Sequence, residues 1–323
     1  MSTKEKSSEP APRKLVATRE AYGKALAELG KEREDIVVLD ADLSGSTKTN
    51  VFAKAFPERF FNMGVAEANM TGTAAGLALS GLTAFCSSFA MFATGKAFEQ
   101  IRQAVALPDA NVKICASHAG VTTGEDGASH QMLEDLALMR VLPNMRVFVP
   151  ADGLEAEQVV RAVADIRGPC YVRLSRMKTP LFMPADSQFV PGKATLLRQG
   201  TCLTLIGTGV TTWYALQAAE ELAMEGIDTR VLNMCSIKPL DEAAVLAAAE
   251  ETAGIVTVEE AQRSGGLGSA VAEVVTSGRP CPVVRLGMKD RFGESGDGEA
   301  LLEHFGLTAP HIAKAARDLL SRA

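Results

Sequence analysis

The sequence predicts an α/β fold with two domains, each a mostly parallel sheet flanked by helices. Short β-branched apolar runs alternate with helical patterns along most of the chain, which is typical of parallel sheets with crossover helices. A second series of this kind begins after a proline-rich stretch, residues 177–198. With 323 residues, 47% of them hydrophobic, the chain can bury two cores of about 100–200 residues each.

The elements of the first half follow from the apolar periodicity. Strands are predicted at residues 36–39, 60–63, 83–85, 112–115, 146–149 and 171–174. Helices are predicted at residues 19–29, 67–79, 89–106, 132–142 and 154–166. Thr18 is predicted to cap the first helix.

The second half repeats the alternation. Its strands are predicted at residues 203–206, 229–233, 254–258 and 282–285, and its helices at 212–225, 242–250, 268–276 and 310–321. We therefore divide the chain into a polar tail expected to be disordered (1–12), a first domain (13–180), a linker (181–198) and a second domain (199–323).

Composition excludes several classes of function. A net charge of -6 argues against nucleic acid as a partner, because binding phosphates needs clustered Lys and Arg. No apolar run reaches the roughly 18 residues of a membrane helix, and the N-terminus lacks the apolar core of a secretory signal. The six cysteines are scattered without a C-x-x-C pair, which favours buried thiols in a reducing compartment, so we expect a cytoplasmic protein.

Glu67 is a single carboxylate in a run of small and apolar residues that follows a predicted strand. Burial favours the protonated form of a carboxyl group, and such a group can transfer a proton to a ring nitrogen. A glutamate at a helix N-terminus can also simply stabilise the helix dipole. Local features alone favour this second, structural interpretation.

Three of the chain's phenylalanines lie close together at Phe85, Phe89 and Phe92. Spacings of four and three put them on one face if the segment is helical, where they could stack on a flat heterocycle. Such a cluster is more often core. The low aromatic content of 5% makes the concentration here notable and favours a binding role.

A loop with several glycines, residues 118–131, gathers two of the four histidines and two acids after a predicted strand. Sites in open α/β sheets form beyond the carboxyl ends of the strands. His118, Asp126 and His130 could bind the hydroxyls of a polyol and transfer protons. No metal-ligand spacing stands out, so no metal is expected on this chain.

Arginines next to small polar residues suit a phosphate group through bidentate hydrogen bonds. They occur here at Arg19, after Thr18, and at Arg173 and Arg176 on either side of a Leu-Ser pair. A glycine pattern at residues 265–268 suggests a dinucleotide site only weakly, because no acidic residue follows about 20 positions later to read a ribose.

Taken in order, these segments resemble the transketolase family. The matching runs span about residues 14–320, which is nearly the whole chain. They are Ala17-Thr-Arg19, Asp40-Ala-Asp-Leu43 with Ser46, Gly64-Val-Ala-Glu67, the Phe-rich segment, the 118–131 loop, Leu142-Pro-Asn-Met-Arg146, Pro150-Ala-Asp-Gly153, Leu174-Ser-Arg176 and Asp290-Arg-Phe-Gly-Glu-Ser-Gly296. The resemblance covers the pyrimidine-binding and C-terminal domains of a full-length transketolase.

The resemblance implies a role for each matching residue. Glu67 would hydrogen-bond the aminopyrimidine of thiamine diphosphate and activate it, with Phe89 and Phe92 beside the pyrimidine and Asp42 nearby. His118 and His130 would act in catalysis. Residues that would line the substrate site are Arg19, Ser46, His118, Asp126, His130 and Arg176. Cys86 stands where relatives have an aromatic residue, so the resemblance leaves that wall of the pocket undefined.

The resemblance also implies a partner. The family's diphosphate-binding domain carries a Gly-Asp-Gly motif followed by an Asn, which together hold a divalent metal such as Mg²⁺. Gly296-Asp-Gly298 has no Asn after it, and we interpret it as a surface turn unrelated to metal binding. The metal would be held by a separate N-terminal subunit, and a homodimeric core with two such partners gives an α2β2 heterotetramer.

The expected reaction is transfer of a two-carbon ketol unit between sugar phosphates of the pentose phosphate type. Two alternatives use the same scaffold: the β-type subunit of a 2-oxo-acid dehydrogenase and a deoxyxylulose-phosphate-synthase-like subunit. A third alternative is a non-catalytic partner subunit. The acidic and histidine-bearing loop with Arg176 favours the sugar-phosphate enzyme, since a purely structural subunit does not need these polar groups.

Overall fold

The computed structural model describes residues 13–322, so the predicted tail, residues 1–12, lies outside the described residues. The predicted fold class is confirmed, because two helix-flanked sheets dominated by parallel strands follow each other along the chain. The strands of the first half are β1 (Leu15–Ala17), β2 (Ile36–Asp40), β3 (Phe60–Asn62), β4 (Thr83–Ser87), β5 (Val112–Ala116), β6 (Arg146–Phe148), β7 (Cys170–Arg173) and β8 (Lys178–Pro180). Those of the second half are β9 (Thr195–Arg198), β10 (Leu203–Gly207), β11 (Thr229–Asn233), β12 (Ser236–Lys238), β13 (Ile255–Gln262) and β14 (Val283–Met288).

The α-helices of the described chain connect these strands. They are α1 (Thr18–Glu32), α2 (Ser44–Thr47), α3 (Asn50–Ala55), α4 (Glu67–Leu79), α5 (Phe98–Gln100), α6 (Asp135–Val141), α7 (Gly153–Asp165), α8 (Thr211–Met224), α9 (Glu242–Glu251), α10 (Leu267–Ser277), α11 (Gly298–His304) and α12 (Ala309–Leu320). Pro57–Arg59 and Val121–Asp126 are 3₁₀-helical, and Met91–Lys96 and Ile101–Ala106 are π-helical. No helix within residues 13–322 is long and apolar enough to cross a membrane.

The first sheet has the order β12-β6-β7-β5-β4-β2-β3, with every strand parallel except β12. The second has the order β14-β13-β10-β11-β9, with β9 antiparallel. Strands β1 and β8 pair separately as an antiparallel ribbon. Strand β12 belongs in sequence to the second half but completes the first sheet, so the two halves share a hydrogen-bonded edge.

Successive side chains of a strand point to opposite faces of the sheet, and β4 illustrates this rule. Ala84 and Cys86 face the core under α4, whereas Phe85 faces the core under α1 and α7. All three are buried. Both faces of the first sheet are therefore covered by helices, which explains why its strands are apolar runs without alternation.

The Phe-rich segment differs from the prediction of one helix over residues 89–106. Strand β4 continues to Ser87, and the helical region that follows is divided between two π-helical turns and the short α5. Phe85 lies on a strand, which confirms the strand predicted over residues 83–85, and the condition for a helical face shared with Phe89 and Phe92 is not met. Cys86 is a core residue, because it points from β4 towards the buried face of α4.

Other local predictions also change. Thr18 is the first residue of α1, and its hydroxyl accepts a hydrogen bond from the amide of Ser175 at 2.7 Å instead of capping the helix. The last residues of the predicted linker form β9, which pairs with β11. The six cysteines are free thiols, and burial raises the pKa of Cys86 to about 12.

Candidate active site

Five of the predicted site residues lie just beyond the carboxyl ends of parallel strands in the first sheet. Asp42 follows β2, Glu67 follows β3, Phe89 follows β4, His118 follows β5 and Arg176 follows β7. The carboxyl ends of parallel strands share one edge of the sheet, so these residues are carried to the same side of the domain.

Glu67 is the first residue of α4, where the positive end of the helix dipole stabilises a carboxylate. Its side chain is only 3% exposed, and its Oε2 lies 2.5 Å from the Nζ of Lys96, whose side chain is 51% exposed. Lys96 ends the π-helical turn Met91–Lys96. The buried carboxylate therefore has a counter-ion supplied by the segment that also carries Phe92, a pairing that sequence reasoning missed.

The loop after β2 is organised by Asp40 rather than by Asp42. The carboxylate of Asp40 accepts hydrogen bonds from the amide of Leu43 at 2.6 Å and from the hydroxyls of Thr47 and Thr49 at 2.7 and 2.8 Å. Burial raises the pKa of Asp40, and these hydrogen bonds oppose that effect. Asp40 thus fixes the backbone that presents Asp42 to solvent.

Asp42 is exposed and has a left-handed backbone, with φ of 65°. Its Oδ1 accepts a hydrogen bond from Asn62 Nδ2 at 2.9 Å, and Asn62 Oδ1 in turn accepts one from the amide of Gly64 at 3.1 Å. Asn62 therefore connects the loop of Asp42 with the turn that leads into Glu67.

An aromatic cluster joins the Phe-rich segment to the 118–131 loop. The ring of Phe89 stacks on His118 with 3.7 Å between centroids, and it lies 6.1 Å from the ring of Phe92. The edge of His130 meets Phe92 at 5.3 Å. The structure thus brings together two predicted aromatic residues and two predicted histidines, although one face of Phe89 is already covered by His118.

His118 is held in one orientation by both ring nitrogens. Its Nδ1 lies 2.8 Å from the Ser117 hydroxyl, and its Nε2 lies 3.2 Å from Arg19 Nη1. Because a guanidinium can only donate, Nε2 is the acceptor and the proton of the neutral ring is assigned to Nδ1. Burial, followed by the charge of Arg19, lowers the pKa of His118 to about 3. His118 is therefore neutral at physiological pH.

A cationic patch borders this histidine. Arg19 Nη1 also donates to the carbonyl of Ser46 at 2.9 Å, which ties α1 to the loop after β2. Burial, followed by the nearby charge of Arg176, lowers the pKa of Arg19. Within residues 13–322 the buried Nε of Arg19 has no hydrogen-bond partner. Two guanidinium groups that repel each other, with one donor unused, are suited to an anionic ligand.

Arg176 is held on the other side of the patch. It donates to the carbonyl of Thr123 and pairs with the carboxylate of Glu125 at 2.8 Å. Glu125 is 69% exposed in its side chain, so this ion pair lies in solvent and can exchange for another anion. Asp126 is also exposed, and it makes no hydrogen bond to another residue in the described part of the chain.

A cleft of about 400 Å³ opens beside this patch and is formed by both halves of the chain. Arg19, Arg176 and Glu125 line one side, and Trp213 and Asp297 come from the second half. Asp297 is exposed and follows a bend just before α11, which agrees with the surface turn predicted for Gly296-Asp-Gly298. Its carboxylate caps α11 by accepting from the amides of Glu299 and Ala300, both at 3.0 Å.

Residues of the second half also hold the 118–131 loop in place through hydrogen bonds. Glu260 accepts hydrogen bonds from the amide of Thr122 at 3.0 Å and from its hydroxyl at 2.8 Å. Gly120 has a left-handed backbone with φ of 82°, and a Cβ at that position would approach the Glu260 carboxylate to 2.2 Å. Gln131 donates to the carbonyl of Glu294 at 2.8 Å. These contacts join residues that are more than 130 positions apart, and no local sequence pattern predicts them.

The glycine pattern at residues 265–268 is not a nucleotide site in this fold. The amides of Leu267 and Gly268, at the start of α10, both donate to the carboxylate of Glu259 at 2.8 Å. Burial raises the pKa of Glu259 to about 7. An internal carboxylate therefore already binds the amides that a phosphate would need.

These groups together could perform a defined chemistry. A buried carboxylate, aromatic rings and a neutral histidine can bind a flat heterocycle and move protons, and the cationic patch can hold an anionic end group. Within residues 13–322, no group of three His, Cys, Asp or Glu side chains is arranged to hold a metal ion.

Comparison with known proteins identifies the family. The family model for the transketolase pyrimidine-binding domain matches residues 14–180, and that for the transketolase C-terminal domain matches residues 192–312. The chain belongs to the transketolase family. The resemblance inferred from the sequence motifs is thereby confirmed.

Individual relatives agree with this assignment and share the chain's short length. A curated protein of Methanocaldococcus jannaschii, whose name refers to a transketolase C-terminal section, is 50% identical over 299 residues, covering 92% of this chain and 94% of that protein. The 6-deoxy-6-sulfo-D-fructose transketolase subunit SqwH of Clostridium sp. is 41% identical and covers 94% of each chain. The transketolase-family chain spans about half the length of other curated relatives that it matches.

A solved structure gives the same result. The structure titled "Split gene transketolase, inactive beta4 tetramer" superimposes with a TM-score of 0.87 at 52% identity, covering 95% of this chain and 98% of that one. Family membership, the fold and the character of a C-terminal section are therefore established for this transketolase-family chain.

Proposed function

We propose that this chain is the catalytic C-terminal subunit of a split, thiamine-diphosphate-dependent transketolase, a transferase of ketol units. The observation that carries the proposal is the buried carboxylate of Glu67, at the carboxyl edge of the sheet and paired with Lys96. A buried, paired carboxylate beyond a strand end is costly to maintain, and such groups concentrate at functional sites.

The residues present fit the aminopyrimidine part of thiamine diphosphate. When bound, this cofactor would supply a nucleophilic carbon for addition to the carbonyl of a ketose. Glu67 would hold a proton at the ring nitrogen of the pyrimidine, and Phe92, which is half-buried, would pack against the ring. Phe89 would contribute its free face, and Asp42 would approach from the loop after β2. Binding of the diphosphate and of Mg²⁺ is assigned to the partner subunit.

The two histidines take different roles in this proposal. His118, with its pKa lowered to about 3, is a neutral ring that donates from Nδ1 to Ser117 and accepts at Nε2 from Arg19, and it does not act as an acid. His130 is half-buried, and its Nδ1 lies 2.9 Å from the Ser129 hydroxyl at the edge of the aromatic cluster. His130 is therefore assigned the proton transfers to and from the substrate hydroxyl.

The substrate class follows from charge. Arg19 and Arg176 would bind the anionic end of a sugar phosphate, with Ser46 beside them, and Asp126 would accept a hydrogen bond from a sugar hydroxyl. The unused Nε of Arg19 and the exposed partner of Arg176 support this assignment.

The partner would be an N-terminal, diphosphate-binding transketolase subunit, joined to a homodimer of this chain in an α2β2 heterotetramer. Strand β3 and the turn before Glu67 expose apolar side chains in the described single chain: Phe61 is 39% and Val65 73% exposed. Apolar groups beside a candidate site favour a subunit interface there. We expect the assembly to act in the cytoplasm.

The test is to purify the chain with a diphosphate-binding subunit and to measure ketol transfer from xylulose 5-phosphate with thiamine diphosphate and Mg²⁺. We expect activity that is lost by at least about a hundredfold in Glu67→Ala, while the assembly remains intact. An inactive wild type on all sugar phosphates, or normal turnover by Glu67→Ala, would contradict the proposal. Decarboxylation of a 2-oxo acid or of pyruvate by the wild type would favour the dehydrogenase or synthase alternative.

A further inference from the structure

Lys96 is the least expected member of the candidate site. Its ammonium lies 2.5 Å from Glu67 Oε2, and no other donor from residues 13–322 reaches that carboxylate. The two side chains differ in exposure, because Glu67 is buried while half of Lys96 is in solvent. The pair is therefore neither an ordinary surface ion pair nor a fully buried one.

The backbone explains how a lysine comes to face this carboxylate. Lys96 is the last residue of the π-helical turn Met91–Lys96, which begins just after Phe89. A π turn contains one residue more than an α turn, and one residue rotates a helical side chain by about 100°. The wide turn therefore sets the direction of Lys96, and π-helical turns occur frequently at functional sites.

The carboxylate has two oxygens with different surroundings. Oε2 is held by Lys96, whereas no donor of the described residues binds Oε1. Oε1 is thus the oxygen available to a ring nitrogen of a ligand. When Glu67 gives its proton from Oε1 to that nitrogen, a carboxylate remains, and the ammonium at Oε2 stabilises its charge.

We propose that Lys96 is a positioning residue that promotes proton transfer from Glu67 by holding Oε2 and stabilising the carboxylate that the transfer leaves. This inference rests on the proposed function of Glu67. The atoms balance within the step once Glu67 has taken a proton from water on Oε1: that O–H bond breaks, the N–H bond of the pyrimidine forms, the carboxylate returns to its ion pair with Lys96, and Lys96 keeps its own protons.

The expected size follows from the charge. Losing a hydrogen bond to a charged group changes a rate by about ten- to a hundredfold, and the exposure of Lys96 places its effect near the lower limit. Lys96→Met keeps the length of the side chain and removes the charge. Lys96→Arg keeps the charge. Lys24→Met removes the lysine of an exposed pair with Glu157 at 3.2 Å and serves as the matched control.

The experiment uses the complete complex loaded with thiamine diphosphate and Mg²⁺. One readout is the rate at which the hydrogen on C2 of the cofactor's thiazolium ring exchanges with deuterium from D₂O, measured by NMR after acid quenching. A second readout is the dissociation constant of the cofactor, measured by calorimetry. Thermal melting of each variant checks the fold.

Lys96→Met should slow the exchange by at least about tenfold, Lys96→Arg should restore most of it, and Lys24→Met should match wild type. Because Lys96 acts on the proton transfer, cofactor affinity should change less than the exchange rate. The inference is overturned if Lys96→Met exchanges as fast as wild type or faster, or if affinity alone changes. If wild type does not accelerate the exchange relative to free cofactor, the proposed function fails and this inference fails with it.

Discussion

Replacing Glu260 with alanine should destabilise the chain and loosen the loop that carries His118. Glu260 is fully buried between the two halves, where it binds the amide and hydroxyl of Thr122 at 3.0 and 2.8 Å. It also lies 3.9 Å from Arg173, whose guanidinium binds Asp135 at 2.7 Å. Burial raises the pKa of Glu260, and the charge of Arg173 opposes that effect.

The magnitude follows from these contacts. Each hydrogen bond to a charged group contributes about 1.5–3 kcal/mol, and breaking a buried ion pair costs about 3–5 kcal/mol. The contributions overlap because one carboxylate makes all of them. We therefore expect Glu260→Ala to lower the free energy of unfolding by about 3–5 kcal/mol. Glu260→Gln keeps an acceptor for Thr122 and should lose only about 1–2 kcal/mol.

The assay is urea unfolding followed by the fluorescence of Trp213, the chain's single tryptophan. Hydrogen exchange of the Thr122 amide reports the loop directly, and it should be faster in Glu260→Ala than in Glu260→Gln. A loss below about 1 kcal/mol in Glu260→Ala would refute the reasoning. A loop amide that exchanges at the wild-type rate would show that Glu260 does not hold the loop.

Two further predictions concern charge. Burial raises the pKa of Glu155 to about 7 from its usual 4.5, so between these values the folded state keeps a proton that the unfolded state has lost. The contribution of Glu155 to the free energy of unfolding should be fully present below pH 4.5 and should fall by roughly 3 kcal/mol as the pH rises through 7. Thermal melts of Glu155→Gln should therefore show a weaker decline with pH than those of wild type. Arg176→Met should raise the KM for sugar phosphates about tenfold with little change in kcat. The control Glu125→Gln removes only the exposed partner of Arg176 and should not raise KM. An equal KM increase in both variants would count against phosphate binding by Arg176.

The apolar pattern predicted much of the fold. The helix over residues 67–79 is confirmed at both ends, and the strand over 229–233 is confirmed as well. In both segments the intrinsic preference of the residues and the pattern of buried positions favour the same secondary structure. Short edge elements such as Leu15–Ala17 and Ser236–Lys238 were missed, because three residues carry too little periodicity to predict a strand.

The candidate site was predicted less completely than the fold. Sequence order placed Asp42, Glu67, Phe89 and His118 after successive strands, and parallel pairing brings those strand ends to one edge. Lys96 and Glu260 were missed because they are 29 and 138 positions from the groups that they contact. Phe85 does not share a helical face with Phe89 and Phe92, because β4 continues to Ser87 and includes Phe85.

The sequence by itself determined the α/β class, the transketolase family and the order in which the site residues appear along the chain. Each of these properties is carried by local runs of residues, whose chemistry and spacing can be read without knowing the fold. Tertiary structure alone decided which groups face one another: Lys96 on Glu67, Arg19 on His118, and Glu260 beneath Thr122. Pairing between distant residues depends on strand order, on the width of a helical turn and on the docking of the two halves, and none of these leaves a local signal in the sequence.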